Sequence, residues 1–268
     1  MTSQELAWRI RRHGLEMTHI SGGSHIAAIL SIADIVAVLY NDCMKIFPNN
    51  PHDSKRDRFI LSKGHAGAAI YAALAEKGFW GVEELRTHYG DNSRLSGHVS
   101  HKNVPGVELS TGSLGHGICV GAGMAMAAKH DHKSHRVFVI IGDGECNEGS
   151  VWEAALFANH HQLSNFVVIV DHNKLQGLGF CENILKLNDL GEKWKSFGWN
   201  VLEIDGHNHN QLIYAFEQKD PNRPTCIIAH TTKGKGISFM ENQVLWHYRD
   251  PQGEFYKNAV IELEATRP

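Results

Sequence analysis

The chain has 268 residues, of which 42% are apolar and 21% charged, with a formal net charge of −3. A chain of this size can bury a full core in one large α/β domain or two small ones. It has no basic run with interleaved aromatics, which argues against a nucleic-acid partner, and no apolar run approaching the roughly 20 residues that span a bilayer.

Taken in chain order, residues 1–17 (MTSQELAWRIRRHGLEM) lack the apolar core of a signal peptide and read as an amphipathic helix. RFILS (58–62) reads as a strand and AGAAIYAALAEKG as the helix after it. SLGHGICVGAGMAMAAKH (113–130) is a helix entered through a glycine-rich turn, and RVFVII (136–141) is a continuous apolar strand. SVWEAALFANHHQ (150–162) has helical spacing, and NFVVIVD (165–171) is a second continuous strand. WNVLEID (199–205), a helix around Gln211 to Gln218, and TCIIAH (225–230) follow. Strands that are apolar throughout and joined by helices predict a mostly parallel sheet covered on both faces. The expected architecture is a doubly wound α/β fold, whose ligands bind outside the carboxyl ends of the strands. With no linker, repeat or low-complexity tract, residues 1–268 read as one domain. The five cysteines are scattered without a CxxC pair, so reduced thiols and a cytoplasmic location are expected.

Nineteen histidines are present, and most need no function. His130, His132 and His135 fall in a loop between a helix and a strand, where solvation explains them. His160 and His161 end a helix, where a cation complements the dipole. Histidines in glycine-bearing turns carry more information.

GDGECNEG (142–149) places an acid between two glycines at the end of a buried strand. The next strand runs into VDHNKLQG, with Asn173 near its tip. About thirty residues separate Asp143 from Asn173, roughly one strand–helix–strand unit. The two tips are then neighbours in a parallel sheet. A carboxylate, an amide oxygen, a backbone carbonyl and phosphate oxygens make a hard-cation shell suited to Mg²⁺, and Ca²⁺ tolerates the same donors. Taken singly, Asp-Gly and His-Asn are also ordinary turn sequences.

Together these turns resemble the thiamine diphosphate signature, and the rest of the chain resembles the transketolase family. SGGSHIAAILSIADIVAVLY, DRFILSKGHAGAAIYAAL, LSGHVSHKNVPGVELSTGSLGHGI and KGKGISFMENQVLWH are similar, in order, to segments of that family's diphosphate-binding domain. The resemblance covers nearly the whole chain. It implies a fold of the thiamine diphosphate-binding type and the transfer of a two-carbon ketol unit from a ketose to an aldose, either of them a phosphate ester.

The resemblance also implies residue roles. Asp143 and Asn173 correspond to the side-chain metal ligands, with Leu175 lending its carbonyl. Gly144 would hold a diphosphate oxygen through its N–H. Glu148 resembles a buried glutamate near the subunit interface. Gly112, Leu114 and Gly115 would pass beneath the cofactor; Ser113 stands where many single-chain transketolases have proline. His25 would serve near the C3 hydroxyl or acceptor aldehyde, and His98 near the donor's C1 hydroxyl. His65 and His247 would touch the diphosphate and move protons, and Lys63 and Lys233 would add positive charge. Neutral imidazoles suit such proton transfers near pH 7.

In this family a further pyrimidine-binding domain and a C-terminal domain follow. They are expected on a partner chain, giving a split transketolase assembled as two copies of each chain and active only with that partner. Three other readings stay open on sequence alone. One is a subunit of another thiamine enzyme, such as a deoxyxylulose-phosphate synthase or a 2-oxoacid dehydrogenase. Another is a non-catalytic regulatory or binding module that keeps the fold. A nicotinamide-binding domain is disfavoured, because no GxGxxG follows the first strand. The identity of the sugar is not legible.

Overall fold

The computed structural model describes residues 1–268. Five parallel strands form its sheet: β1 (Arg58–Leu61), β2 (Val137–Gly142), β3 (Phe166–His172), β4 (Asn200–Asp205) and β5 (Thr225–His230). They are ordered β1-β2-β3-β5-β4. Each predicted strand is found within about a residue of its expected bounds. The helices are α1 (Ser3–Ser21), α2 (Ile26–Val38), α3 (Gly67–Glu76), α4 (His116–His130), α5 (Gly149–His160), α6 (Cys181–Ile184), α7 (Leu190–Ser196), α8 (His209–Glu217) and α9 (Glu254–Ala265).

Strand alternation divides the core in two. Phe138, Ile140, Val167, Ile169 and Ile227 face α1, α2, α3 and α8. Val137, Val139, Phe166, Val168 and Ile228 face α4, α5 and α7. Apolar residues at every strand position are therefore what a sheet with both faces covered requires. A third cluster packs α9 and the 237–246 segment against α1 and α2.

The sequence reading assigns no element to α2, and the reason is physical. All thirteen of its residues are buried, so it shows no polar face and no helical period. The expectation that no run approaches a membrane-spanning length needs correction. Residues 26–43 form an 18-residue helical stretch of mean hydropathy 1.7, apolar enough by length and composition to be a candidate span. In this fold 83% of that stretch is buried inside the protein, as a central core helix. Close packing places it there: a Cβ at Gly14 of α1 would lie 2.6 Å from Ile29 Cγ2.

Two polar side chains interrupt α2, and both are paired. Asp34 accepts from Arg11 at 2.5 and 3.1 Å, from His207 Nδ1 at 2.7 Å and from His209 Nε2 at 3.1 Å. Ser31 reaches the sheet edge described next.

Candidate active site

Four neighbouring strands, β1, β2, β3 and β5, end side by side, and the turns beyond them carry the polar residues. Register pairs Gly142 with Asp171, so Asp143 and Asn173 emerge at adjacent tips, as the spacing predicts. Asp171 lies at the centre and is fully buried. Its carboxylate accepts from Lys63 Nζ at 2.5 Å, Ser31 Oγ at 2.6 Å, Asn173 Nδ2 at 2.9 Å, and the Thr231 hydroxyl. Burial alone would raise its pKa, but the Lys63 ammonium and the hydroxyl donors overcome that and hold it low.

Asp143 lies beside it, 3% exposed, in a different state. Backbone groups donate to it, Gly144 N–H at 2.7 Å and Lys174 N–H at 2.5 Å, and no cation pairs with it. Burial and the charge of Asp171 push its carboxyl upward. A buried carboxylate without a cation costs free energy, so this position favours a positive ligand. Asn173 Oδ1 accepts from Leu175 N–H at 3.0 Å, and the Leu175 carbonyl accepts from Lys233 Nζ at 2.8 Å. Burial, with Lys63 nearby, lowers Lys233 to about 8. Nowhere in the chain do three His, Cys, Asp or Glu side chains gather to hold a metal. The donors at this edge are all oxygens, which suits Mg²⁺ or Ca²⁺ in company with phosphate.

These groups open onto a cavity of about 460 Å³ whose wall includes Lys63, His65, Asp143, Asn173, Lys233 and His247. His247 Nδ1 is buried there without a hydrogen-bond partner. Two lysines, an unpartnered imidazole nitrogen and an uncompensated carboxylate fit a diphosphate bound through a divalent cation. Glycine keeps the cavity open: a Cβ at Gly177 would lie 2.7 Å from the Tyr248 hydroxyl and 3.1 Å from His247 Nε2.

The four histidines singled out from sequence converge at its edge. His25 is central, with ring centroids 5.2 Å from His65, 5.6 Å from His98 and 5.0 Å from His247. His25 caps α2 in the left-handed region, at φ 75°. This conformation is costly for a residue with a Cβ and is typical of functional sites. It is fixed by its own N–H donating to the His247 carbonyl at 3.0 Å and by contact of Nδ1 with Ser24 Oγ at 2.8 Å. Burial lowers His25 to about 4 and His247 to about 3, with Lys233 and Lys63 adding repulsion. Burial also lowers His65 well below its usual value, again with Lys63, and lowers His98. The group is thus a set of neutral imidazoles, each able to donate one proton and accept another.

Other expected residues are placed as follows. Leu114, Gly144 and Glu148 line the same cavity. Gly112 and Gly115 do not; a Cβ at Gly112 would sit 3.4 Å from His98 Cδ2, and Gly115 N–H donates to Glu145 Oε1 at 2.8 Å. Glu148, expected to be buried near a subunit interface, is exposed on the chain taken alone. The buried glutamate of this turn is Glu145, 2% exposed, which also accepts from Ser62 Oγ and Gly142 N–H. The sequence reading misses Asp171, Ser31, Thr231 and Glu145. A signal existed for two of them: Asp171 ends an apolar strand just as Asp143 does, and Ser31 breaks an apolar helix.

Comparison with known proteins identifies the family. Residues 2–249 match the family described as transketolase, thiamine diphosphate binding domain. The chain is 42% identical over 255 residues to a subunit of the apulose-4-phosphate transketolase of Phocaeicola vulgatus, covering 94% of this chain and 90% of that one. It is likewise 42% identical over 257 residues to 6-deoxy-6-sulfo-D-fructose transketolase subunit SqwG of a Clostridium species, covering 95% and 94%. Its fold superimposes on a crystal structure of transketolase from Campylobacter jejuni with TM-score 0.92 and 32% identity. That match covers 98% of this chain but 42% of the solved one, so the chain spans about two fifths of a solved transketolase.

Proposed function

Since the chain belongs to the transketolase family, we propose that it is the thiamine diphosphate-binding subunit of a split transketolase. It would transfer a two-carbon ketol unit from a ketose to an aldose. Support comes from one observation above the rest: three neutral histidines meet around a strained fourth, His25, beside a cavity with an uncompensated aspartate. The subunit names of its relatives, which this chain matches nearly end to end, support a separate partner. The partner would carry the pyrimidine-binding and C-terminal domains, in a two-plus-two assembly in the cytoplasm.

Thiamine diphosphate, when bound, supplies the electron sink for breaking the ketose C2–C3 bond. Asp143, Asn173 and the Leu175 carbonyl would hold Mg²⁺, and Ca²⁺ could replace it. Lys63, Lys233 and His247 would face the diphosphate, and Gly144 N–H would donate to it. As the C2–C3 bond breaks, the C3 hydroxyl proton must leave, and the acceptor's new alkoxide must regain one. His25, neutral and flanked by three imidazoles, can take and return that proton. His98, beside it and partly open to solvent, can hold a hydroxyl of the donor. His65 lies behind His25 and can pass protons between it and the diphosphate edge.

The test is ketol transfer from a ketose phosphate to an aldose phosphate, with Mg²⁺ and thiamine diphosphate. Expected is no transfer by the chain alone and activity that titrates to a one-to-one ratio with the partner. Robust turnover by the pure chain, checked by mass spectrometry for contaminating transketolase, would sink the split-subunit reading.

A further inference from the structure

His25 and His98 stand 5.6 Å apart between ring centroids, and the turns that carry them are held in unlike ways. His25 is tied by its own N–H to the His247 carbonyl at 3.0 Å. The turn of His98 lacks such a tie: no N–H of Ser96, Gly97 or His98 donates to a backbone carbonyl. Packing must therefore set where the His98 ring stands. Tyr89 supplies that packing, because its ring lies between the two turns. A Cβ at Gly97 would sit 2.8 Å from Tyr89 Cδ2 and Cε2, and a Cβ at Gly23 would sit 3.8 Å from Cδ1, on the opposite edge of the ring. Gly97 directly precedes His98, and Gly23 lies two residues before His25. Gly23, His25, Tyr89, Gly97 and His98 also surround one small hollow of about 110 Å³, so few other atoms separate these turns.

The chain holds the ring there at a cost. Tyr89 adopts φ 58°, in the left-handed region, an outlier for a bulky side chain. Such strain persists where the surroundings over-determine it, and it collects at functional sites. Tyr89 N–H donates to the Leu95 carbonyl at 2.8 Å and Gly90 N–H to the Thr87 carbonyl at 3.0 Å, which closes the loop beneath the ring. His88 is thereby buried, at 5% exposure, while Tyr89 is turned outward and is 61% exposed. A ring this exposed adds little to the core, and glycine or asparagine would take this backbone more readily. Core burial therefore does not account for a tyrosine at this position, whereas its place between the two turns does.

We propose that Tyr89 is a positioning residue: its ring is a wedge between the turns of Gly23 and Gly97 that sets the His98 imidazole against His25. The proposal rests on the transketolase reading for what His98 holds, a hydroxyl of the donor, and not for the wedge itself. The contacts are made by ring carbons, so the flat ring is required and the phenol hydroxyl is not. On the other side of His98 the chain is equally close, since a Cβ at Gly112 would lie 3.4 Å from His98 Cδ2. His98 is thus seated between Gly112 and the wedge, and without the ring its turn is free to move toward the hollow.

Two measurements test it. The first needs no turnover. In the full chain with ¹⁵N-labelled histidine, Tyr89→Ala should broaden the His98 ring signals by exchange on the microsecond-to-millisecond scale, while those of His25 stay sharp. Tyr89→Phe, which keeps the ring, should leave both sharp. Sharp His98 signals in Tyr89→Ala overturn the wedge. The second uses the complex with its partner and a ketose phosphate donor. Tyr89→Ala is expected to lower kcat/KM about ten- to a hundredfold, the scale on which a misplaced group costs rate, and Tyr89→Phe should retain most of the activity. Placed on His98→Ala, the same substitution should cost nothing further, because the imidazole it positions is already gone. Additive losses overturn the proposal. So does a loss that appears as weaker titration with the partner, which would make Tyr89 an interface residue. Broadened signals in a complex that turns over no sugar would retain the wedge and reject the transketolase reading. Should Tyr89→Ala fail to fold, Tyr89→Gly removes the ring and relieves the left-handed strain, and the same readouts decide.

Discussion

Asp171 and Asp143 stand at adjacent strand tips, both buried, and the chain treats them oppositely. Asp171 receives an ammonium, two hydroxyls and an amide from four different segments. Asp143 receives two backbone N–H groups and no cation. The first carboxylate is held low and the second pushed up. Asp34, with one arginine and two histidines, resembles the first. A buried acid whose partners all come from its own chain is part of the scaffold. One that lacks a counter-charge is completed by a ligand. Carboxylates of the same type, one register step apart, are thus separated into structure and function by what surrounds them.

The most severe way to break the comparison is to remove the scaffold acid. Asp171→Ala strands the Lys63 ammonium, which is 3% exposed, together with the Ser31 and Thr231 hydroxyls. Loss of one partner of a buried pair costs about 3–5 kcal/mol. Urea unfolding of the chain should show this loss with or without Mg²⁺. A loss below about 1 kcal/mol would mean that Lys63 finds water or another partner and that Asp171 is not structural.

Asp143→Ala should give the converse. Stability of the metal-free chain is expected to stay within about 1 kcal/mol of wild type, because an acid already disfavoured by burial is removed. Mg²⁺-dependent binding of thiamine diphosphate to the assembled enzyme should fall by about a hundredfold or more, since even the residues around a metal ligand contribute ten- to a hundredfold. Calorimetry measures both. Unchanged cofactor affinity would remove Asp143 from the metal's ligands.

These residues also show how far a sequence can be read. Continuous strands such as VFVII announce a two-sided parallel sheet, because each side chain meets a covered face. Asp143 and Asn173 are legible because their spacing equals one crossover and their tips must then be neighbours. Asp171 follows the same logic but sits one position before a more familiar turn. Ser31 is legible only as a polar break in an apolar stretch and Thr231 not at all, because their role depends on α2 and the β5 turn converging from 140 and 60 residues away. Glu145 is not legible, because its burial depends on which way the turn faces. His88 lies in THYGDN, a stretch that reads as a plain polar loop, and only the packing of Tyr71 and Tyr89 makes it a buried ring.

A smaller effect sharpens the functional side. His98→Ala removes a neutral imidazole that is exposed on this chain, so the fold should be unaffected and cofactor affinity unchanged. If the ring holds the donor's C1 hydroxyl, turnover of donors carrying it should drop by roughly 1–3 kcal/mol in kcat/KM. Donors with and without that hydroxyl, compared in the assembled enzyme, provide the check. Equal losses on both would make His98 a structural residue.

A last effect separates the two regions by pH. His25 and His88, lowered to about 4, and His247, lowered to about 3, are neutral in the fold at a pH where the unfolded chain binds their protons. Unfolded histidine titrates near 6.5. Between about 6.5 and 4 the unfolded state therefore holds more protons, and stability falls as pH falls. Each fully buried ring contributes at most about 1.4 kcal/mol per pH unit, and less where solvent reaches it. Asp143 and Glu145 are raised and act in the opposite sense, but they are outnumbered by the lowered histidines. Asp34 and Asp171 are lowered, so their stabilisation remains until the pH drops below the ordinary carboxylate value of 3.8. Denaturant midpoints of the metal-free chain should thus decline from pH 7 to pH 4.5, and decline further below pH 4 as the scaffold acids protonate. His88→Phe should flatten the first decline and leave the second in place. A first decline equally steep in that variant would mean that His88 is protonated in the fold.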